Sequence, residues 1–250
     1  MKIDNKEYGK TPLTIDNILI GSHTVSISRD KYEPQTKTIV VKEGETIEEN
    51  VALVAAKSQS ISVAVTGSKS GTINGYEYVD LGLPSGLKWA TCNVGASSPE
   101  EYGDYYAWGE VKTKSTYHSD NSKTYRKSMS DISGNRTYDV ARKKWGSSWR
   151  LPTEAEFQEL LDKCKWQWTT QNGKRGYKVT GPNGNSIFLP AAGYRIGSSL
   201  YNVGDFGYYW SSTPYESSDD FARYLDVYSS NRYVSWSGRS FGQSVRPVSE

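Results

Sequence analysis

Tyr78-Val79-Asp80-Leu81-Gly82-Leu83-Pro84-Ser85-Gly86-Leu87-Lys88-Trp89-Ala90 is the stretch on which the reading of the fold turns. It lies where the texture of the chain changes, since from Tyr76 onward Gly-, Trp- and Tyr-rich segments enclose two expected helices. The first covers about residues 139–145, with Asp139 as N-cap, Lys143 and Lys144 favouring the negative end of the dipole, and Gly146 stopping it. The second follows Pro152-Thr153-Glu154-Ala155-Glu156, a capping box with Thr153 at N-cap and Glu156 at N3. Phe157, Leu160, Leu161 and Cys164 then share one face at helical spacing. After Gln167 short strands are expected at 176–179, 186–189, 208–212, 221–228 and 232–236, with a tight turn at Gly181-Pro182-Asn183-Gly184. Two helices followed by paired strands is an α+β plan.

Upstream, residues 1–56 read as a compact all-β unit. Strands are expected at Leu13 and Ile15, and over 24–28, 36–41 and 46–53, all rich in β-branched residues. Asx and Gly mark turns at Asp16-Asn17, Ile20-Gly21-Ser22, Asp30-Lys31-Tyr32 and Glu43-Gly44-Glu45. The pattern Ile3-Asp4-Asn5, Gly9-Lys10-Thr11-Pro12, Ile20-Gly21-Ser22-His23-Thr24-Val25 and Lys31-Tyr32 resembles the PEGA domain, and implies a small β sandwich. A strand normally precedes that pattern, so the N-terminal strand is expected to be truncated here. Residues 57–75, with Ser and Gly around an alternation at 61–65, read as a linker holding one short strand. Residues 76–250 form the second domain.

The opening stretch, taken with Trp108-Gly109-Glu110, residues 145–152, Tyr209-Trp210-Ser211-Ser212 and Val245-Arg246-Pro247-Val248, resembles the FISUMP-type lectin-like domains of surface proteins. These are variants of the C-type lectin fold, and the resemblance covers about residues 76–250. It implies a framework in which Trp89, Trp108, Trp149 and Trp210 are core rings and Arg150 and Arg246 are satisfied internal donors. The calcium motifs of sugar-binding members (Glu-Pro-Asn or Gln-Pro-Asp, with Trp-Asn-Asp) do not occur in the sequence, so no metal is expected. The nearest carboxylate cluster, Asp219-Asp220 with Glu216, reads as a solvated loop. The formylglycine-generating enzymes of the same fold use cysteines near the chain's end, whereas no Cys follows Cys164.

Composition narrows the function classes further. A net charge of +2 gives no electrostatic footprint for nucleic acid. No apolar run reaches the ~18–20 residues of a membrane span, and no signal segment opens the chain. Cys92 and Cys164 leave one disulfide or two free thiols open. The two histidines, His23 and His118, lie in no nucleophile or metal motif, and no Gly-rich phosphate loop precedes a helix. No catalytic residue and no cofactor are therefore expected. The protein reads as a binder without enzymatic chemistry.

Its 19 Tyr and 8 Trp against 5 Phe favour rings with a polar handle, suited to a contact surface. Between Tyr208 and Phe241 close to half of the residues are Tyr or Ser, the bias of antibody loops. Residues 217–235 contain no Lys, Glu, Gln, Met or Trp, the five types that randomised adenines in Asn codons cannot produce in retroelement-diversified proteins. Alternation turns Leu225 and Val227 inward and Tyr224, Asp226 and Tyr228 outward, with Arg223 awkwardly sharing the inward parity. The expected contact face is Tyr215, Phe221, Arg223, Tyr224, Asp226, Tyr228, Arg232, Tyr233, Ser235, Ser237, Ser240 and Phe241. The resemblances place the chain on a bacterial cell surface or outside the cell, attached to a membrane only through an anchor not in this sequence. The partner would be a protein on another cell, phage or host surface, or a glycan. A calcium-independent carbohydrate-binding adhesin and a structural subunit such as a pilus tip stand beside the protein-binding reading.

Overall fold

The computed structural model describes residues 1–4, 6–29, 32, 34–53 and 70–250, and the chain divides into two compact units, Met1–Val65 and Thr66–Glu250. In the first, β1 (Lys2–Ile3), β2 (Lys6–Glu7), β3 (Gly21–Ile27) and β4 (Gln35–Val41) form one antiparallel sheet in the order β2-β1-β3-β4. The β-branched runs account for β3 and β4, whose seven residues pair along their whole length. Leu13, Ile15 and residues 46–53, read as strands, are not strands: their propensity is met by no ladder partner. The described residues of this unit thus make a single sheet in place of the expected sandwich. The strand read at 61–65 lies outside the described residues, as do residues 57–69 of the expected linker and Asp30 and Lys31 of the expected turn.

Asp4 locks this sheet. It sits at φ 48°, and its carboxylate accepts the Thr24 amide at 2.8 Å and faces His23 Nδ1 at 2.5 Å, while His23 Nε2 meets the Leu19 carbonyl at 2.7 Å. With an acceptor at each ring nitrogen, the imidazolium form satisfies both bonds. The Asp4 carboxylate, and then the Leu19 carbonyl, raise the His23 pKa above 6.5. The Thr24 amide, and then His23, lower that of Asp4 below 3.8. The clamp's stabilisation from His23 is therefore complete below pH 6.5 and is lost as pH rises through the raised folded value. The Asp4 contribution is present above pH 3.8 and is lost as pH falls through the lowered one. An NMR titration of the His23 ring is expected to give a pKa above 6.5 that moves back toward 6.5 in Asp4→Asn; an identical titration in the variant contradicts the clamp.

The second unit corrects the α+β, C-type-lectin plan. Strand makes up 40% of the chain and helix 8%, so the fold is largely all-β. Both expected helices exist, but they are short: α1 (Val140–Trp145) and α2 (Glu154–Lys163). Their ends match the local signals. Asp139 caps α1, accepting the amides of Arg142 (3.1 Å), Gly134 (2.8 Å) and Leu151 (2.9 Å), and Thr153 and Glu156 form the capping box of α2.

What outweighs these helices is a set of antiparallel sheets. Three strands, β5 (Ser70–Ile73), β6 (Tyr76–Asp80) and β7 (Lys88–Ala90), join the C-terminal β16 (Val248–Ser249) in the order β16-β7-β6-β5, so Ser70–Ile73 pairs inside a stretch read as linker. Next come β8 (Lys165–Gln171), β9 (Lys174–Thr180) and β10 (Ser186–Pro190), ordered β10-β9-β8, and a hairpin of β11 (Tyr194–Ile196) with β12 (Ser199–Tyr201). The last sheet is β13 (Phe206–Pro214), β14 (Phe221–Tyr228) and β15 (Asn231–Gly238), ordered β13-β14-β15.

Two apolar clusters hold these sheets. One gathers Phe157 and Leu160 of α2 against Leu225 and Val227 of β14, Tyr177 and Val179 of β9, and Trp89 and Val248. The other gathers Trp108, Trp145, Trp149, Trp210, Tyr106 and Val245. The rings of Trp89, Trp108, Trp149 and Trp210 are all fully or almost fully buried. Residues 242–249, buried throughout, run between the clusters. Their amides and carbonyls pair with Tyr106, Trp210, Val94, Ala90 and Arg150. Arg246 is wholly buried. Its guanidinium donates to Asn93 Oδ1 (2.9 Å) and to the carbonyls of Ala90 (3.1 Å), Thr91 (2.7 Å) and Phe188 (2.9 Å). Arg150 is half-buried and forks onto Glu156 at 2.7 and 2.8 Å.

Candidate functional site

In β13–β15 the register decides what each face carries. Phe206 lies opposite Tyr228, Tyr208 opposite Asp226, and Trp210 opposite Tyr224; on the other side of β14, Tyr224, Asp226 and Tyr228 lie opposite Ser235, Tyr233 and Asn231. By the two-residue period these side chains share one face, and Tyr209, Leu225, Val227, Val234 and Trp236 share the other. The second face packs toward α2, with Leu225 and Val227 fully buried. The first face has two halves. Its upper part, Trp210, Ala222 and Tyr224, is covered by the second apolar cluster. Its lower part is open, and aromatic rings cover it.

The rings form a continuous chain. Phe206 packs on Tyr228 (4.8 Å between centroids) and on Tyr208 (5.9 Å, stacked), and Tyr208 stacks on Tyr224 at 5.7 Å. Tyr228 meets Tyr233 edge-on at 6.4 Å. The β11–β12 hairpin extends the surface: Tyr194 meets Tyr208 at 4.8 Å, Tyr201 at 5.7 Å and Phe241 at 6.0 Å. Tyr208 Oη accepts from Asn202 Nδ2 at 3.0 Å, and burial pushes its pKa up to about 12. At the rim, Tyr201 (46% exposed) and Tyr233 (39%) open this face to solvent.

Beneath the rings is a carboxylate. Asp226 is 5% exposed; its Oδ2 accepts from Tyr224 Oη at 3.0 Å, and the Tyr233 hydroxyl faces it from the next strand. Its Oδ1 is buried without a hydrogen-bond partner. Burial raises the Asp226 pKa above 3.8, and the phenols of Tyr224 and Tyr233 partly offset this. An unsatisfied buried oxygen costs about 1–3 kcal/mol, more when charged, so the arrangement is one that packing alone does not favour.

The expected contact residues are divided by this geometry. Tyr228 and Tyr233 lie on the open aromatic face and Phe241 borders it, half-buried, while Ser235 and Ser237 follow along the same side of β15. Tyr224, Asp226 and Ser240 are buried, because a second layer covers the side that alternation leaves outward. Phe221, Arg223 and Arg232 have the opposite parity. Arg223 resolves its inward placement at the sheet's end by pairing with Glu216 (2.7 Å) and Glu154 (3.3 Å) and lying 4.7 Å from the Tyr215 ring, which stacks on Trp236 at 5.1 Å. Arg232 lies over Trp166 at 5.7 Å. Tyr194, Tyr201, Phe206 and Tyr208 are contributors that the sequence reading did not select. Tyr208 stood at the edge of the Tyr/Ser-rich stretch, and Tyr194 and Tyr201 had only the glycine turn between them as a signal.

Asp219, Asp220 and Glu216 do not converge: each faces an arginine, Arg239 (3.8 Å), Arg126 (3.3 Å) and Arg223 respectively. Among the described residues no group of three or more His, Cys, Asp or Glu side chains could hold a metal ion. Cys92 and Cys164 are free thiols, and burial raises the pKa of Cys164 to about 11.

Residues 1–57 match the family model of the PEGA domain, and residues 161–248 match that of a domain of unknown function, DUF8237. The second match spans the whole β13–β15 sheet and the rings on it. No curated protein matches the chain, and no solved structure does. The N-terminal unit is thus PEGA-like, and PEGA domains occur in extracellular or periplasmic proteins. Among the described residues no helix is long and apolar enough to cross a membrane.

Proposed function

We propose that this chain is a non-enzymatic binding protein of the cell surface, whose C-terminal aromatic face recognises a protein ligand and whose PEGA-like unit serves as spacer or attachment. The observation that carries the reading is the chain of rings from Tyr201 to Tyr233, partly solvent-exposed and backed by a covered sheet. Rigid aromatic surface costs little side-chain entropy on binding, and Tyr is among the residues enriched where binding energy concentrates. The absence of Lys, Glu, Gln, Met and Trp over residues 217–235 supports a further step, in which retroelement diversification varies the outward positions Tyr228 and Tyr233 while Leu225 and Val227 stay fixed by the core. On that reading the varied codons end in C or T and a near-copy carrying adenines lies beside the gene.

A screen of surface proteins with the full chain tests the reading. A ligand is expected that loses at least ~100-fold in affinity when Tyr201 and Tyr233 are both changed to Ala, each ring contributing about 1–2 kcal/mol or more. Ligands indifferent to both rings would move the site elsewhere. Binding to a glycan array with no protein ligand would replace protein by carbohydrate as the partner class.

A further inference from the structure

Asp226 occupies the centre of an aromatic sheet face, a position that packing alone would give to another ring or an aliphatic side chain. Its cross-strand neighbours are Tyr208 and Tyr233, and its neighbours along β14 on that face are Tyr224 and Tyr228. Tyr224 holds Oδ2, the Tyr233 hydroxyl faces the carboxylate from β15, and Oδ1 is buried without a close hydrogen-bond partner. Among the described residues no Lys, Arg or His forms an ion pair with it. The arginines of the same sheet have the opposite parity and are engaged there, Arg223 with Glu216 and Glu154 and Arg232 over Trp166. The surface that results is lined by π faces, which carry negative potential, above a carboxylate that no protein cation compensates. Both features attract the same thing.

We infer that this face binds its protein partner through a basic side chain, a lysine or arginine laid over the rings of Tyr228 and Tyr233 above Asp226. The inference rests on the recognition reading above and adds the chemistry of the contact. The ring faces provide cation–π attraction within about 6 Å of a centroid, which needs no direct bond to the carboxylate. Asp226 supplies the charge beneath them, and its buried position weakens the screening that a surface carboxylate would suffer. A neutral apolar side chain would gain only the ring contact.

The test uses the full chain and three small probes, N-acetyl-lysine methylamide, N-acetyl-arginine methylamide and the neutral N-acetyl-norleucine methylamide, followed by NMR shifts of the tyrosine ring protons. Saturable binding is expected for the two cations, at least tenfold weaker or undetectable for the norleucine probe. Asp226→Asn keeps shape and the Tyr224 contact, so it is expected to fold and to lose the cation preference by tenfold or more. Tyr233→Leu is a second variant, chosen because that ring is at the surface, and is expected to weaken the cation probes as well. Equal binding of all three probes, no saturable binding of either cation, or an unchanged preference in both variants overturns the inference. Its failure is separable from that of the recognition reading. A screened ligand that needs Tyr201 and Tyr233 but tolerates Asp226→Asn leaves the binding face standing and removes the basic contact.

Discussion

Arg246→Met is expected to destabilise the second unit by about 3–5 kcal/mol, a large share of the 5–15 kcal/mol that a domain of this kind has. The methionine fills most of the volume, so the loss comes from the acceptors. Asn93 Oδ1 and the carbonyls of Ala90, Thr91 and Phe188 all turn toward the guanidinium in a site that water does not reach. Burial lowers the Arg246 pKa, but an arginine stays protonated at any physiological pH, so the charge is present and these four oxygens hold it. Arg246→Lys keeps the charge yet lacks the planar fork that reaches four acceptors on two segments, and is expected to cost nearly as much. All eight tryptophans fall between Trp89 and Trp236, so intrinsic Trp fluorescence in a urea titration reads the second unit without interference from the first. A Met variant within about 1 kcal/mol of the parent would mean that those carbonyls find other donors.

The second large effect is expected at Trp210, where Trp210→Ala should cost about 3–5 kcal/mol. The ring is 1% exposed, donates from Nε1 to the Tyr106 carbonyl at 2.8 Å, and packs edge-on against Tyr224 at 6.2 Å. Its removal therefore opens a cavity in the core and also withdraws support from the covered end of the aromatic face. Trp210→Phe separates the two contributions. It retains most of the packing, and because the Tyr106 carbonyl still accepts the Gln243 amide, its cost should fall to about 1–2 kcal/mol. Equal losses for Ala and Phe would show that the indole N–H, and not the volume, matters at this position.

The parts of this fold that were legible in the sequence are the parts with local causes. The capping box Thr153-Glu156, the Asp139 cap and the Gly146 stop locate both helices because each acts within one turn of its own chain. The alternation in residues 221–228 gives the parity of β14 for the same reason. The class was misjudged because paired strands outweigh the helices. Lys165–Gln171 pairs with Lys174–Thr180 across the two-residue Asn172-Gly173 turn, a local hairpin that was not read, whereas Val248–Ser249 is a strand only through its pairing with Lys88–Ala90, distant in sequence. Residues 46–53 show the converse, with strong β propensity and no strand. At the candidate site, parity placed Tyr224, Asp226 and Tyr228 on one face, but the layer that buries Tyr224 comes from Trp108, Tyr106 and Val245, which no window around β14 contains.

The run from residue 242 to 249 lies at the centre of the second unit although it is the last part of it to be synthesised. Its backbone closes gaps left by Tyr106, Val94, Ala90, Trp210 and Arg150, and its Arg246 gathers carbonyls from two otherwise separate segments. A ribosome therefore delivers the keystone only after all the surrounding strands have left the exit tunnel. During that interval the nascent chain holds Trp108, Trp149 and Trp210 beside an unfilled seam, and closing it requires contacts between residues far apart in sequence, the slow kind. The rings of the open aromatic face are exposed during the same interval. Production of this protein should thus depend on chaperones that shelter aromatic segments until residues 242–249 arrive.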